Sequence, residues 1–153
     1  MWNAKKSILL SICGAGAAIL LVILFAALLP FFPRFGSAKS SILFDAAYLR
    51  TIMPSLYACC VPALISLISL LRMLLDIRKS LVFTEANVRR LRVISWCFFA
   101  LFLILLLTAL FAIASPAILL LAVSSGFFCL LIRVVKNVID AARTLKEEND
   151  FTI

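Results

Sequence analysis

Between Val93 and Ile132 the chain places 40 consecutive residues without one charged side chain. As a single helix this run would measure about 60 Å, twice the ~30 Å hydrocarbon thickness of a bilayer. A soluble core cannot absorb it. Of the 153 residues 65% are hydrophobic and 14% charged, against about 45–50% and about 25% in a soluble domain. A fold this small has too little interior for so much apolar surface. The run must therefore cross the membrane and fold back. Ser115-Pro116 is the natural corner, since proline disfavours helical backbone at the residue before it. This predicts one span over about 93–114 and another over about 117–139, with Arg133 and Lys136 late enough in the latter to snorkel to the headgroups.

Two further apolar runs have spanning length. The first covers about 7–32, with no charge between Lys6 and Arg34. Lys5 and Lys6 also resemble the start of a secretory signal, but the apolar stretch far exceeds the roughly 7–15 residues of a signal core and reads as an uncleaved span. Gly14 and Ala18 in it form a small-xxx-small pair, which lets another helix approach closely. The second run covers about 51–71, with Pro54 near its start and Pro62 inside, where a kink is expected. The predicted architecture is all-α: a single membrane domain over residues 1–153, polytopic, built as a four-helix transmembrane bundle with cytoplasmic helix extensions. Its oligomeric state is left open, because small residues permit a dimer as readily as a closed bundle.

Charge predicts the orientation. With four spans, the N-terminus, the 72–92 loop and the part of the chain from Arg133 onward share one side. Twelve of the 15 basic residues fall there, and the other face keeps Arg34, Lys39 and Arg50. The positive-inside rule places the twelve, and both termini, in the cytoplasm. The net charge of +8 then reads as attraction to anionic headgroups and not to nucleic acid. The outer loop, 33–50, carries an apolar stripe of Ile42, Leu43, Ala46 and Leu49 that continues to Met53, which suggests a short helix on the outer surface; a ligand lid is the alternative.

Reaction chemistry is scarce. The chain has no histidine, which removes Ser-His-Asp, Cys-His and imidazole-metal arrangements together. Cys13, Cys59, Cys60, Cys97 and Cys129 lie in apolar stretches without a C-x-x-C pair and read as small packing residues. No catalytic residue, cofactor or metal is expected, and the chain is expected not to be an enzyme. The span hydroxyls Ser11, Ser66, Ser69, Thr108, Ser124 and Ser125 are expected to bond to their own helix or a neighbour.

Two cytoplasmic features carry the functional reading. In the 72–92 loop, Thr84 has the chemistry of an N-cap and Glu85 the charge that suits a helix start. Phe83 and Val88 can form a hydrophobic staple around that cap. The third helix is expected to begin near Thr84, with Arg89, Arg90 and Arg92 at headgroup level, where phosphate-bearing lipid headgroups would be the ligand. The tail, 140–153, extends the apolar face of the last helix through Ala142 and Leu145, then carries Glu147, Glu148, Asn149 and Asp150. Charge complementarity suggests that this acidic tail folds back onto Arg89, Arg90 or Arg92.

These same residues carry a resemblance. Phe83-Thr84-Glu85-x-Asn87, then Leu91-Arg92-x-Ile94-x-Trp96, and the ending Leu145-x-Glu147-Glu148-Asn149-Asp150-Phe151-Thr152-Ile153 resemble the DUF2975 family of small bacterial four-span membrane proteins. Ser95 stands where the family pattern often has Gly, a difference that bears on close helix approach. The resemblance implies a bacterial cytoplasmic membrane location and no established activity. It also implies a partner class, since members are often encoded beside a small helix-turn-helix transcription regulator. The expected function is a non-enzymatic membrane partner or sensor that engages a cytoplasmic regulator, without contacting nucleic acid itself. Asn87, Arg90, Glu147, Asn149 and Asp150 are its first candidate contacts, with membrane lipids as the other partner. The alternative is a small transporter or exporter of lipid or apolar compounds. Ion-coupled transport needs ionisable groups within the membrane, and the spans have none near their middle.

Overall fold

The structure, a computed structural model, describes residues 4–31, 46–79, 84–112 and 115–150. All regular structure among them is helical. The physical cause is the solvent: in hydrocarbon each backbone N–H and C=O must find its partner within the segment, and a helix achieves this. Helix α1 is Ala4–Leu28, tightened at its end by a 3-10 turn, Leu29–Phe31, that contains Pro30. Helix α2, Ala46–Arg78, has 33 residues and continues through Pro54 and Pro62. Helix α3, Glu85–Leu107, widens into a π-helical turn over Thr108–Ala112. Helix α4, Pro116–Asp150, has 35 residues. Four segments, Ser7–Phe31, Thr51–Arg78, Glu85–Phe111 and Pro116–Lys146, are long and apolar enough to cross a membrane. The chain is a multi-pass membrane protein.

The corner between α3 and α4 lies at Ser115. Pro116 takes the first helical position, where its missing N–H would be unpaired in any case. The Ser115 carbonyl accepts the Leu119 amide at 3.2 Å. The outer-surface helix differs from its sequence expectation. Ala46, Leu49 and Met53 belong to the first turns of α2, continuous with the span, and Ile42 and Leu43 lie outside the described residues.

The helices pack in chain order, α1 on α2, α2 on α3, and α3 on α4, the last pair most extensively. Their seams are built from small residues, which let backbones approach where lipid offers no hydrophobic force between helices. Ala15, Ala109 and Ala122 are buried. At the α3–α4 seam Ser95, 4% exposed, donates to the Cys129 carbonyl at 3.4 Å, and the Cys129 thiol donates to the Ser95 carbonyl at 3.3 Å. Ser125 donates to the Phe98 carbonyl at 3.0 Å. A serine at position 95 therefore supports the close approach of α3 and α4. Large apolar side chains such as Leu20, Phe111 and Leu120 point outward, as suits a surface solvated by acyl chains. Gly14 faces open space within the chain, and Ala15 is the residue in the α1 seam.

Three of the other span hydroxyls bond within their own helix. Ser11 donates to the Ser7 carbonyl, Ser66 to Ala63 and Ser124 to Leu120. Thr108 donates to the Ile104 carbonyl at 2.7 Å and shares a hydrogen bond with the Ser55 hydroxyl at 2.8 Å, which joins α3 to α2 inside the span. All five cysteines are free, and no group of metal-ligating side chains occurs among the described residues.

The tightest demand falls on Gly126. A Cβ there would lie 3.2 Å from Cδ2 of Phe102 on α3. Gly126→Val is expected to destabilise the protein by about 1–3 kcal/mol through overpacking, read from unfolding in mixed detergent micelles. Adding Phe102→Ala should recover part of that loss; purely additive effects would mean that the two residues do not press on each other.

Candidate functional site

Three helices meet where α2 ends, α3 begins and α4 leaves the apolar zone. We refer to this as the basic end. Its organising contact is Arg90, in the second turn of α3. The Arg90 guanidinium pairs with the Asp76 carboxylate on α2, donates to Asn87 Oδ1 at 2.9 Å, and reaches the Arg72 carbonyl at 3.4 Å. Arg90 and Asp76 keep only about a quarter of their side-chain surface exposed, at 27% and 25%. Asn87 is 1% exposed. A guanidinium near the end of α2 also meets the negative end of the helix dipole. Two helices joined by a short connection are thus clamped by one planar group that satisfies a carboxylate, an amide and a carbonyl together.

The local sequence explains why α3 starts where it does, although not by the expected cap. Thr84 has extended backbone and occupies the N-cap position. Its carbonyl accepts the Asn87 and Val88 amides at 3.0 and 3.3 Å. Its hydroxyl makes no cap hydrogen bond and is buried without a partner among the described residues. Glu85 supplies the favourable charge at the first turn and pairs with Arg89 one turn on, at 3.0 Å. Both side chains are largely exposed, and such pairs contribute only about 0.3–0.5 kcal/mol. Phe83, the other half of the expected staple, lies outside the described residues, while Val88 is buried.

The acidic tail also departs from its expectation. With Ser95 opposite Cys129 and Ser125 opposite Phe98, the antiparallel register brings Asp140 level with the start of α3. The helix then stays regular through Asp150. Residues 147–150 therefore lie roughly 10–15 Å beyond Thr84 along the axis, at about 1.5 Å per residue. A regular helix carries this part of the backbone away from Arg89, Arg90 and Arg92, and residues 151–153 lie outside the described residues. The side chains of Glu147, Asn149 and Asp150 lie outside the described residues; Glu148 is exposed.

What the structure brings together instead is a polar recess of about 390 Å³ in which Glu85, Arg89 and Arg92 of α3 face Asp140 and Arg143 of α4. The sequence-derived site residues thus divide. Asn87 and Arg90 face inward and join helices, and Glu85, Arg89 and Arg92 face the recess. Asp76 and Asp140 were missed. Asp76 had a signal, being the one acid in the strongly basic run Arg72–Lys79 and one helical turn from Arg72. Only the α3–α4 register identifies Asp140.

Two substitutions separate these roles. Asp76→Ala should destabilise the protein by about 1–3 kcal/mol, because it leaves a half-buried guanidinium without its carboxylate. The reversed pair Asp76→Arg with Arg90→Asp should restore part of this in the same micellar unfolding assay, and absence of any coupling in the cycle would argue against the clamp. Thr84→Val should lie within about 0.5 kcal/mol of the parent or above it, since it removes a buried hydroxyl without a partner. A loss near the ~1 kcal/mol typical of a true N-cap would show that the hydroxyl does cap.

Comparison with known proteins gives one match. The model of a protein family described as "Protein of unknown function (DUF2975)" matches residues 35–153, the part of the chain that contains α2, α3, α4 and the whole basic end. No curated protein and no solved structure matches.

Proposed function

The chain belongs to the DUF2975 family, a family without an assigned function, and on that footing we propose that it is a non-enzymatic membrane partner protein that holds or senses a cytoplasmic regulator at its basic end. The observation that carries this reading is the projection of α4. Arg133, the first charge on α4, stands about 26 Å from its start, close to the thickness of the hydrocarbon core. About 20 Å of further helix continues beyond Lys136. Along that extension Val138 and Leu145 are 62% and 66% exposed. They are seven residues apart, two turns on one face, with Ala142 between them. An apolar stripe on a helix outside the bilayer suits a groove on another protein.

Charge supports the same reading. The last turn of α4 carries Glu147, Glu148 and Asp150, where the helix dipole disfavours negative charge. A basic partner surface would offset this. The family resemblance supplies a partner class, a small helix-turn-helix transcription regulator, with this chain making no direct contact to nucleic acid. The distribution of basic residues supports a bacterial cytoplasmic membrane with both termini inside. The absence of histidine and the position of Asp76, Glu85 and Asp140 near the ends of the spans, away from their apolar middles, support a role without catalysis.

Transport of lipid or apolar compounds is the alternative. It draws on an aromatic cleft between α3 and α4, and such transport needs no buried charge. Crosslinked native membranes distinguish the two. Affinity capture with the parent chain should recover a helix-turn-helix protein, and Val138→Asp with Leu145→Asp should reduce that recovery by about tenfold or more, as loss of interface anchors does. Equal recovery by both would sink the contact at α4. Protein-dependent movement of a fluorescent lipid across purified vesicles would favour transport instead.

A further inference from the structure

One side of the α3–α4 seam carries a site that the partner reading does not use. Below the headgroup level Trp96, Phe99 and Phe102 of α3 and Leu130 of α4 line an apolar cleft of about 380 Å³, floored by Gly126. Its floor is low for the reason already given, since a side chain at 126 would strike Phe102. Directly adjoining it is a polar recess of about 320 Å³ lined by Arg92, Arg133, Lys136, Ser95 and Asn137. Trp96 and Arg133 line both, so the two form one continuous groove with an apolar lower part and a cationic upper part.

The upper part is lined by cations, and Arg92 also borders the neighbouring recess that holds Glu85 and Asp140. Arg92, Arg133 and Lys136 come from two helices, and no acidic residue lines the recess. No ion pair holds any of the three among the described residues, in contrast to Arg89 and Arg90, which have Glu85 and Asp76. Mutual repulsion of three cations at one spot is unfavourable unless an anion joins them. Two guanidiniums and an ammonium with a neighbouring amide, Asn137, form a donor set that matches phosphate oxygens. The aromatic cleft below matches an acyl chain, and the indole of Trp96, 59% exposed, stands at the junction where indoles favour the membrane interface.

We propose that this groove is a binding site for one anionic glycerophospholipid of the surrounding bilayer, with its phosphate held by Arg92, Arg133 and Lys136 and an acyl chain laid over Trp96, Phe99 and Phe102. Charge complementarity selects the occupant. A zwitterionic lipid would bring its own cation against a recess lined by three cations. A free anion would leave the aromatic cleft unfilled. The site differs from a general basic collar in that its cations converge from two helices over a formed cleft, so its occupancy is selective and saturable.

Trp96 is a built-in reporter, since Trp2 is the only other tryptophan and Trp2→Phe removes it. The full chain with Trp2→Phe would be reconstituted in phosphatidylcholine vesicles containing lipid brominated on its acyl chains, which quenches nearby indoles. Brominated phosphatidylglycerol should quench Trp96 at about tenfold lower mole fraction than brominated phosphatidylcholine, given the attraction of basic residues for anionic lipid. Arg133→Gln with Lys136→Gln should abolish that preference, whereas Arg89→Gln, outside the groove, should retain it. The substituted side chains lie at the helix surface, and unchanged helical circular dichroism would confirm folding. Equal quenching by the two lipids, or a preference that survives the double substitution, would overturn the proposal. Loss of quenching on adding inorganic phosphate, against chloride at equal ionic strength, would also overturn it in favour of a free anion. None of these readouts depends on a protein partner, so failure here is distinguishable from failure of the partner reading.

Discussion

The seam between α3 and α4 sets the geometry of the whole basic end. Ser95 and Cys129 exchange side-chain-to-carbonyl bonds across it, Ser125 adds a third at Phe98, and Gly126 removes the one side chain that would push the helices apart. In hydrocarbon these polar contacts have no competing water, although each contributes little alone, on the order of 0.6 kcal/mol in membrane proteins. Their larger effect is to fix register. Once Ser95 faces Cys129, Arg133 and Lys136 must stand beside Arg92, Asp140 must face the start of α3, and the remainder of α4 must project past its neighbours.

A second fixed point lies on the other side of α3. Arg90 ties α2 to α3 through Asp76, Asn87 and the Arg72 carbonyl. Helix α3 is therefore held on both flanks, by small-residue packing with α4 and by a charged clamp with α2. Helix α1 packs on α2 alone to any extent and turns most of its surface to lipid, while the family match begins at residue 35, after it. The proposed binding surfaces sit with the three helices that are held together, which is physically reasonable because a recognition surface requires fixed relative positions of its side chains.

Much of the site was legible as residue type and much less as role. Asn87 and Arg90 were recognisable because they are polar groups at the start of an apolar helix, yet the sequence could not say that they face inward, since that depends on a carboxylate 14 positions earlier. Thr84 has the chemistry of an N-cap, but capping depends on side-chain orientation, and its hydroxyl makes no bond to the orphan amides. The acidic tail attracted a pairing argument based on sign alone. Coulomb attraction between exposed groups is too weak to bend a regular helix back on itself.

Hydropathy and chain stiffness determined from sequence alone that this protein spans the membrane as four helices, that its charge-free run of 40 residues turns at Ser115-Pro116, and that its basic residues gather at one end. Those properties follow from a solvent that excludes charge and unpaired backbone, and they are written in local composition. Tertiary structure alone decided which cations are neutralised and which are left open. Arg90 finds Asp76 on the neighbouring helix, whereas Arg92, Arg133 and Lys136 converge on a recess that no acid lines. That difference arises from the relative rotation and register of packed helices, which depend on contacts between residues far apart in the chain.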